Sequence, residues 1–446
     1  MPSGHWPDGR DWTLALKTEA RKIPGASPVP SGGSPLGTGQ WPVLPTEMAA
    51  ATSESGLKIP RGGRATGCEL GQLAVRPKSG AGKLLISNNS KICLNSLVKI
   101  YARACELRLA NPWKIASSKS SKGSGTHRTV IVELTDADGV SALGEAAPSS
   151  LYGESVETVL PVLAQLDPAR LSFHDVPGSM SFLESIPKIP FAVKCALNLA
   201  LLDGAAKRAG QPLHDFLGLG FRENHHVTCF SIGIDAPEII HRKVLEAANY
   251  PVIKLKVGDP RDRENFAALR SAAPDKPVRV DANEGWKTKE DALRMLEWLV
   301  ATDKKIQFIE QPMPRTTSDA DWQWLKARSP LPIFADESCH TVKDIPRCAE
   351  CFHGVNVKLV KTGGVSMAKA TLEAARKAGL KTMIGCMIET SVLISAGAHL
   401  AELADYLDLD GSLLITNDPF AGVTAETGVL SFASAKEKSG LRVSPL

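Results

Sequence analysis

Val252-Ile253-Lys254-Leu255-Lys256-Val257 is a short apolar run that carries two lysines two residues apart. Residues at i and i+2 of a strand share one face. If that face packed against helices, two ammonium groups would be buried in apolar surroundings at high cost. The pair instead fits a strand whose lysine-bearing face looks into a closed barrel and leads to its mouth. Four further runs end in a charged residue: Val278-Arg279-Val280-Asp281, Ile306-Gln307-Phe308-Ile309-Glu310, Ile333-Phe334-Ala335-Asp336 and Val355-Asn356-Val357-Lys358. Helical pattern lies between most of them. Strands alternating with helices build a parallel sheet or barrel. In a barrel the carboxyl ends of all strands open onto one face, so these charges converge.

Working outward, strands are expected near 227–234, 252–257, 278–282, 306–310, 332–336, 355–359, 382–386 and 406–409. Helical segments such as Asp262 to Ala273, Lys289 to Ala301 and Ser366 to Ala378 separate them. This predicts an α/β barrel over 226–420 with its last helix reduced or missing. Upstream, 98–225 reads as an α+β domain. Val98 to Arg103 and Thr129 to Thr135 are its strands, and Asn111 to His127 is a polar loop between them. The pattern is helical from Ser155 to Gly210, including Ala192 to Lys207. The segment 421–446 is expected to pack back on this domain.

Residues 1–97 differ from the rest. Pro24 to Pro45 is rich in Gly, Pro and Ser, a composition that buries little and predicts disorder. The segment holds 11 Lys or Arg against 6 Asp or Glu. It reads as a passive extension rather than a basic interaction arm.

The whole chain has 446 residues and a net charge of +4, too small to argue for a nucleic-acid partner. No stretch reaches the length of a membrane span. The start lacks the apolar core of a secretory signal, and Asp8, Asp11 and Glu19 argue against a transit peptide. Nine cysteines make an odd count without framework spacing. They read as reduced thiols of a cytoplasmic protein, including Cys348 and Cys351.

Asp281, Glu310 and Asp336 are spaced by about one βα unit each. Three hard oxygen ligands on adjacent strand ends suit Mg²⁺ better than zinc, with Mn²⁺ as an alternative. Lys256 and Lys358 lie on opposite sides of the barrel mouth. Two bases flanking one carbon can remove a proton from one face and return it to the other. A metal on a substrate carboxylate would stabilise the enediolate so formed. The metal and Lys254 would each draw the pKa of Lys256 towards neutrality.

Together, Lys254-x-Lys256, Asp281-Ala-Asn283-Glu-Gly-Trp286, Glu310-Gln311-Pro312, Asp336-Glu337-Ser338 and Asn356-Val-Lys358-Leu-Val-Lys361-Thr-Gly-Gly resemble the enolase superfamily, in its muconate-lactonizing subgroup. The resemblance runs from about Val98 to about Leu430. It implies a (β/α)7β TIM-like barrel with an α+β capping domain. It also implies Mg²⁺, one per subunit, on Asp281, Glu310 and Asp336, with acid/base lysines at Lys256 and Lys358. Asp408 and Asp410, two acids at i and i+2 at the eighth strand end, are expected to share one strand face and could hold an ammonium group. Asp408-Leu409-Asp410 resembles the Asp-x-Asp motif with which dipeptide epimerases bind the free α-amino group of their substrate. The segment Gly385 to Thr390 is similar to that group's seventh-strand segment, which makes Met387 a substrate-binding candidate. Lys254 and Ser231 are further candidates for substrate contact.

One departure concerns a loop arginine that meets an acidic second residue in the Ala-Glu epimerases. Ser118 stands in its place, with Lys114 or Lys119 as substitutes. The implied activity is epimerisation of the second residue of a dipeptide by a homo-oligomeric isomerase, without nucleic-acid or membrane partners. Muconate cycloisomerase, o-succinylbenzoate synthase and N-acylamino acid racemase remain alternatives on the same scaffold. So does a binding protein on an inherited barrel.

Overall fold

The computed structural model describes residues 98–118 and 123–446. The expectation of disorder over 1–97 and the reading of Lys119 lie outside the described residues.

Three antiparallel strands open the fold in the order β1 (Lys99–Trp113), β2 (Ser124–Thr135) and β3 (Ser141–Ala146). The expected polar loop from Asn111 to His127 is shorter than its composition suggests. The ladder runs to Arg108↔Thr126 and, past an irregularity, pairs Trp113 with Ser124. Ladder bonds come from the backbone, so serine- and threonine-rich sequence continues a strand once its neighbour is in register. Gly123 turns the chain with φ 73°, and a Cβ there would sit 2.9 Å from the Trp113 carbonyl oxygen.

The helical stretch that follows is three helices, α1 (Val156–Gln165), α2 (Val176–Ser185) and α3 (Phe191–Arg208). Ser155 and Thr158 form a capping box on α1, and Asp175 caps α2. Helix α3 is almost wholly buried and lies directly on β3. A Cβ at Gly144 would come within 2.0 Å of the Ala196 carbonyl oxygen. The alanines of α3 and this glycine thus let helix and sheet approach closely.

After a short turn of helix α4 (Leu213–Phe216), eight parallel strands follow with helices between them. They are β4 (Phe230–Ile232), α5 (Pro237–Glu246), β5 (Ile253–Lys256), α6 (Asp262–Ala272), β6 (Val278–Asp281), α7 (Lys289–Thr302), β7 (Ile306–Glu310) and α8 (Asp319–Lys326). The series continues with β8 (Ile333–Ala335), α9 (Ile345–Cys351), β9 (Gly354–Lys358), α10 (Leu359–Thr362), α11 (Val365–Lys377), β10 (Lys381–Gly385), α12 (Ser391–Ala398) and β11 (Tyr406–Asp408). Each strand pairs with the next from β4 to β11. The ring closes where Thr228, just before β4, bridges Leu407 of β11 in parallel. Where an eighth barrel helix would follow β11, the described residues have the 3-10 turn Gly411–Leu414. The architecture is an α/β TIM-like barrel with a capping domain.

The helices form for local reasons as well. Thr288 caps α7 through the Asp291 N–H, and Glu290 and Asp291 complement its amino-terminal dipole. Its buried face is Ala292, Leu296 and Leu299. Burying a side chain the size of leucine is worth about 1.5–3 kcal/mol. Strands β5, β6 and β9 are buried at every residue, since helices cover their outside and the barrel interior their inside.

The three-stranded sheet and the barrel are joined by buried polar contacts. Glu145 of β3 accepts bonds from Thr390 N, Thr390 Oγ1 and Leu393 N at the start of α12, at 3.1, 2.6 and 3.3 Å. Asn198 of α3 exchanges two bonds with Ser366 of α11. In the carboxy-terminal segment, β12 (Phe420–Ala421) pairs with β13 (Ser444–Pro445), and Leu441 N donates to Asp203 of α3. No helix among the described residues is long and apolar enough to cross a membrane.

Candidate active site

Strand register sets the first layer of the site. Lys256 pairs with Asp281 and Asp281 with Glu310, at the carboxyl ends of β5, β6 and β7. Across the barrel, Lys358 pairs with Gly385 and Gly385 with Asp408, at the ends of β9, β10 and β11. Gly385 leaves room in this ring, since a Cβ there would lie 2.4 Å from Asn356 Oδ1. Asp336 follows β8 directly.

Asp281, Glu310 and Asp336 are all buried, and each offers an oxygen within 4.8 Å of the others. Lysines surround them. Lys256 Nζ lies 2.6 Å from Asp281 Oδ2, and Lys358 Nζ lies 2.9 Å from Asp336 Oδ2. Lys361 Nζ holds the other Asp336 oxygen and also donates to the Cys339 and Asn356 carbonyls. Asn356 Nδ2 fixes Glu310 Oε1 at 2.7 Å, and Asn283 N fixes Asp281 Oδ1 at 2.9 Å. Asn283, Glu284 and Gln311, which follow Asp281 and Glu310 closely, have φ of 40°, 65° and 35°. Non-glycine residues in this region cost on the order of 1–3 kcal/mol each, and such strain clusters at functional sites.

Burial alone would push all these acids up. At Asp281 the ammonium groups of Lys256 and Lys254 outweigh burial and hold the carboxyl below its usual range. At Asp336 burial is outweighed by Lys358 and Lys361, which hold it well below. Glu310 goes the other way, to about 7, through burial and the neighbouring Asp281 charge. Burial opposes the charge on Lys358, but Asp336 and Glu310 overcome it and raise its pKa well above the ordinary value.

Asp408 and Asp410 share one wall with Ser231. Ser231 N donates to Asp410 Oδ2 at 2.6 Å, and Ser231 Oγ lies 3.4 Å from Asp408 Oδ1. The expectation that the two acids share a strand face needs correction. Strand β11 ends at Asp408, and Asp410 is already turning into the 3-10 segment with ψ 4°. The turn, not strand periodicity, brings Asp410 to the cavity. Burial and the Asp408 charge push Asp410 up to about 6. Asp408 is held well below its usual value, because Lys254 and Lys256 outweigh its burial.

A cavity of about 560 Å³ joins these groups. Lys256, Asp336, Lys358, Ser231, Met387, Asp408 and Asp410 line it, together with Trp113 at the end of β1 and Ile115 and Ser118 just after it. Lys254 lies beneath this surface, 1 % exposed, with its ammonium among Asp281, Glu310 and Asp408. Lys114 does not line the cavity, and its ammonium pairs with Asp259 at 3.1 Å. Ser118 Oγ accepts a bond from Ile115 N, which shapes the start of the loop.

Sequence reasoning missed several neighbours of the site. Asn356 lies two residues before Lys358, and Cys229 two before Ser231, so strand periodicity marks both as inward-facing. Cys229 Sγ donates to Asp408 Oδ1 at 3.1 Å. Tyr152, Glu337 and Cys386 also line the cavity, and no spacing signal pointed to Tyr152.

Residues 98–218 match the family described as mandelate racemase / muconate lactonizing enzyme, N-terminal domain. Residues 240–415 match the enolase C-terminal domain-like family. The chain is 64 % identical over 338 residues to an L-Ala-D/L-amino acid epimerase from Pedosphaera parvula, covering 76 % of this chain and 97 % of that protein. It is 37 % identical over 328 residues to an L-Ala-D/L-Glu epimerase from Bacteroides thetaiotaomicron, covering 73 % and 83 %. A solved structure of a dipeptide epimerase from Cytophaga hutchinsonii, complexed with Mg and D-Ala-L-Val, superposes with a TM-score of 0.72 at 28 % identity, covering 79 % of this chain and 96 % of that one.

Proposed function

The chain belongs to the mandelate racemase/muconate lactonizing enzyme family of the enolase superfamily, and from that premise we infer a Mg²⁺-dependent dipeptide epimerase. It is an isomerase that inverts the α-carbon of the second residue of a dipeptide. The observation that carries this reading is one cavity onto which Asp408, Asp410, Lys256, Lys358 and Asp336 open, with Asp281 and Glu310 clustered against Asp336.

The donor set fits the metal. Three hard carboxylates come from the ends of β6, β7 and β8, and Glu310 Oε2 is buried without a hydrogen-bond donor, although Lys254 lies 2.7 Å away as an ion pair. Asp281, Glu310 and Asp336 would hold one ion per subunit. When bound there, Mg²⁺ supplies positive charge to the substrate carboxylate and makes the neighbouring α-proton more acidic.

The remaining work falls to the side chains of the chain. Lys256 and Lys358 rise from β5 and β9, four strands apart in an eight-stranded ring. One takes the α-proton from one face, and the other supplies a proton to the opposite face. That exchange inverts the centre without any net change in composition. Asp408 and Asp410 hold the α-ammonium of the first residue, and Ser231 orients Asp410. This contact fixes which carbon stands between the lysines. Met387 borders the same space. Lys254 acts from below, through the carboxylates it touches. A homo-oligomer in the cytoplasm is the setting we propose. The seven free cysteines among the described residues are compatible with a reducing compartment.

The test is a library of L,L-dipeptides with Mg²⁺ in D₂O. Proton NMR follows the α-proton of the second residue, and chiral analysis follows its configuration. Exchange with inversion is expected for free dipeptides and not for their N-acetyl forms, which carry no ammonium. Inversion of N-acetylamino acids alone would replace this reading with an N-acylamino acid racemase.

A further inference from the structure

Lys254 touches two groups of acids that have separate tasks. Its ammonium lies 3.0 Å from Asp281 Oδ2 and 2.7 Å from Glu310 Oε2, on the metal side. The same nitrogen lies 2.6 Å from Asp408 Oδ2, on the ammonium-binding side. It is 1 % exposed, so water does little to screen these contacts. Asp410 is held differently, by Ser231 N and more weakly by Cys386 Sγ, and forms no ion pair with Lys254.

We propose that Lys254 is a positioning residue that couples the two subsites, so that Asp408 tunes divalent-cation affinity at Asp281 and Glu310 without ligating the ion. The inference rests on the epimerase reading's assignment of the metal ligands and of Asp408 as an ammonium site, and not on the substrate being a dipeptide. An ammonium beside a divalent-cation site repels the incoming ion. Charges a few ångströms apart in a buried setting interact strongly enough to change affinity by tenfold or more. Asp408 balances part of that ammonium and draws it away from the metal acids. A cation that arrives at Asp408 competes with Lys254 for this carboxylate. Each event therefore changes the affinity of the other by the same factor. A dipeptide also carries a carboxylate that favours the metal, so its ammonium acts as the opposing half of one ligand.

The coupling is read by calorimetric titration of the full chain with Mg²⁺, in the absence of substrate. Asp408→Asn is expected to weaken Mg²⁺ binding about tenfold, and Asp410→Asn by less than about threefold. In a Lys254→Met background, Asp408→Asn is expected to have an effect under about twofold. If Lys254→Met does not fold, Asp408→Glu serves instead, and the restored charge must recover most of the affinity. L-alaninamide, an ammonium without a carboxylate, should weaken Mg²⁺ binding to the wild type.

Equal effects of Asp408→Asn and Asp410→Asn, or none from either, overturn the coupling. If dipeptide inversion persists in the wild type alongside that result, the epimerase reading stands alone. If the Asp408 effect is present but no dipeptide is inverted, the coupling stands and the epimerase reading falls. A wild type that binds no Mg²⁺ overturns both.

Discussion

The buried carboxylates of the barrel mouth and those of the seam beneath the three-stranded sheet are satisfied in opposite ways. At the barrel mouth, Asp281, Asp336 and Asp408 each have at least one lysine ammonium within 3.0 Å. At the seam between the three-stranded sheet and the barrel, Glu145 and Glu389 have none. Glu145 relies on two backbone N–H groups and a hydroxyl, and Glu389 on the Met387 N–H. Burial, the largest influence on both, pushes Glu145 up to about 7 and Glu389 to about 8. The mouth holds ionised acids that can trade one cation for another. The seam holds acids that keep their protons into the neutral range, and Glu145 fastens β3 to the start of α12. Asp410 and Glu337 depart from this pattern at the mouth, pushed up to about 6 and about 8, and so does Glu310. Glu310 is pushed to about 7 by burial and Asp281, and a divalent cation is the counter-charge that would ionise it.

The contrast is broken most severely by removing a mouth lysine. Lys256→Ala and Lys358→Ala are each expected to lower dipeptide inversion by about 10³-fold or more, with the fold retained by circular dichroism. Inversion near the wild-type rate in either variant would remove that lysine from the proton path. Glu310→Gln comes next. Loss of one carboxylate charge should weaken Mg²⁺ binding by about 10²-fold, measured by calorimetry, while thermal stability without metal holds or rises. Unchanged metal affinity would take Glu310 out of the ligand set.

The seam gives the smallest effect and the sharpest sign. The folded pKa of Glu145 lies above its ordinary 4.5, so the folded state binds more protons than the unfolded chain between the two values. Its contribution to stability is complete below about 4.5 and is lost as pH rises through about 7. Denaturant melts of the wild type from pH 5 to 8 should therefore fall by about 1–3 kcal/mol relative to Glu145→Gln, whose curve lacks this slope. Parallel curves would mean that Glu145 is ionised throughout.

Much of the mouth was legible in the sequence because its residues end strands. Apolar runs that stop at Lys256, Asp281, Glu310, Asp336 and Lys358 give both the strand and the side chain that tops it. The strand reading fails where geometry comes from elsewhere. Asp410 reaches the cavity through a turn, so its apparent i, i+2 relation to Asp408 placed it in the right space for the wrong reason. Asn111 to His127 looked like a loop because its side chains are polar, whereas the backbone ladder that orders most of its ends is blind to side-chain polarity. The seam was not legible at all. Glu145 and Thr390 meet across 245 residues, and neither carries a local pattern that points to the other. The partners of Lys254 sit on three different strands, so strand spacing suggested the inward face and not the bridge.

The closure of the barrel through Thr228 and Leu407 has a consequence during biosynthesis. Translation delivers the β4 edge early, and the residue that seals it roughly 180 positions later, which takes on the order of 10–40 s at ~5–20 residues per second. Throughout that interval the nascent sheet has an unpaired edge, the kind of surface on which other chains template. The three-stranded sheet and α1–α3 have all left the ribosome by then and are free to form. The chain therefore passes through a half-built stage in which its first domain is complete while the barrel is still exposed to self-association, and Asp408, one residue beyond the closing Leu407, arrives only when that exposure ends.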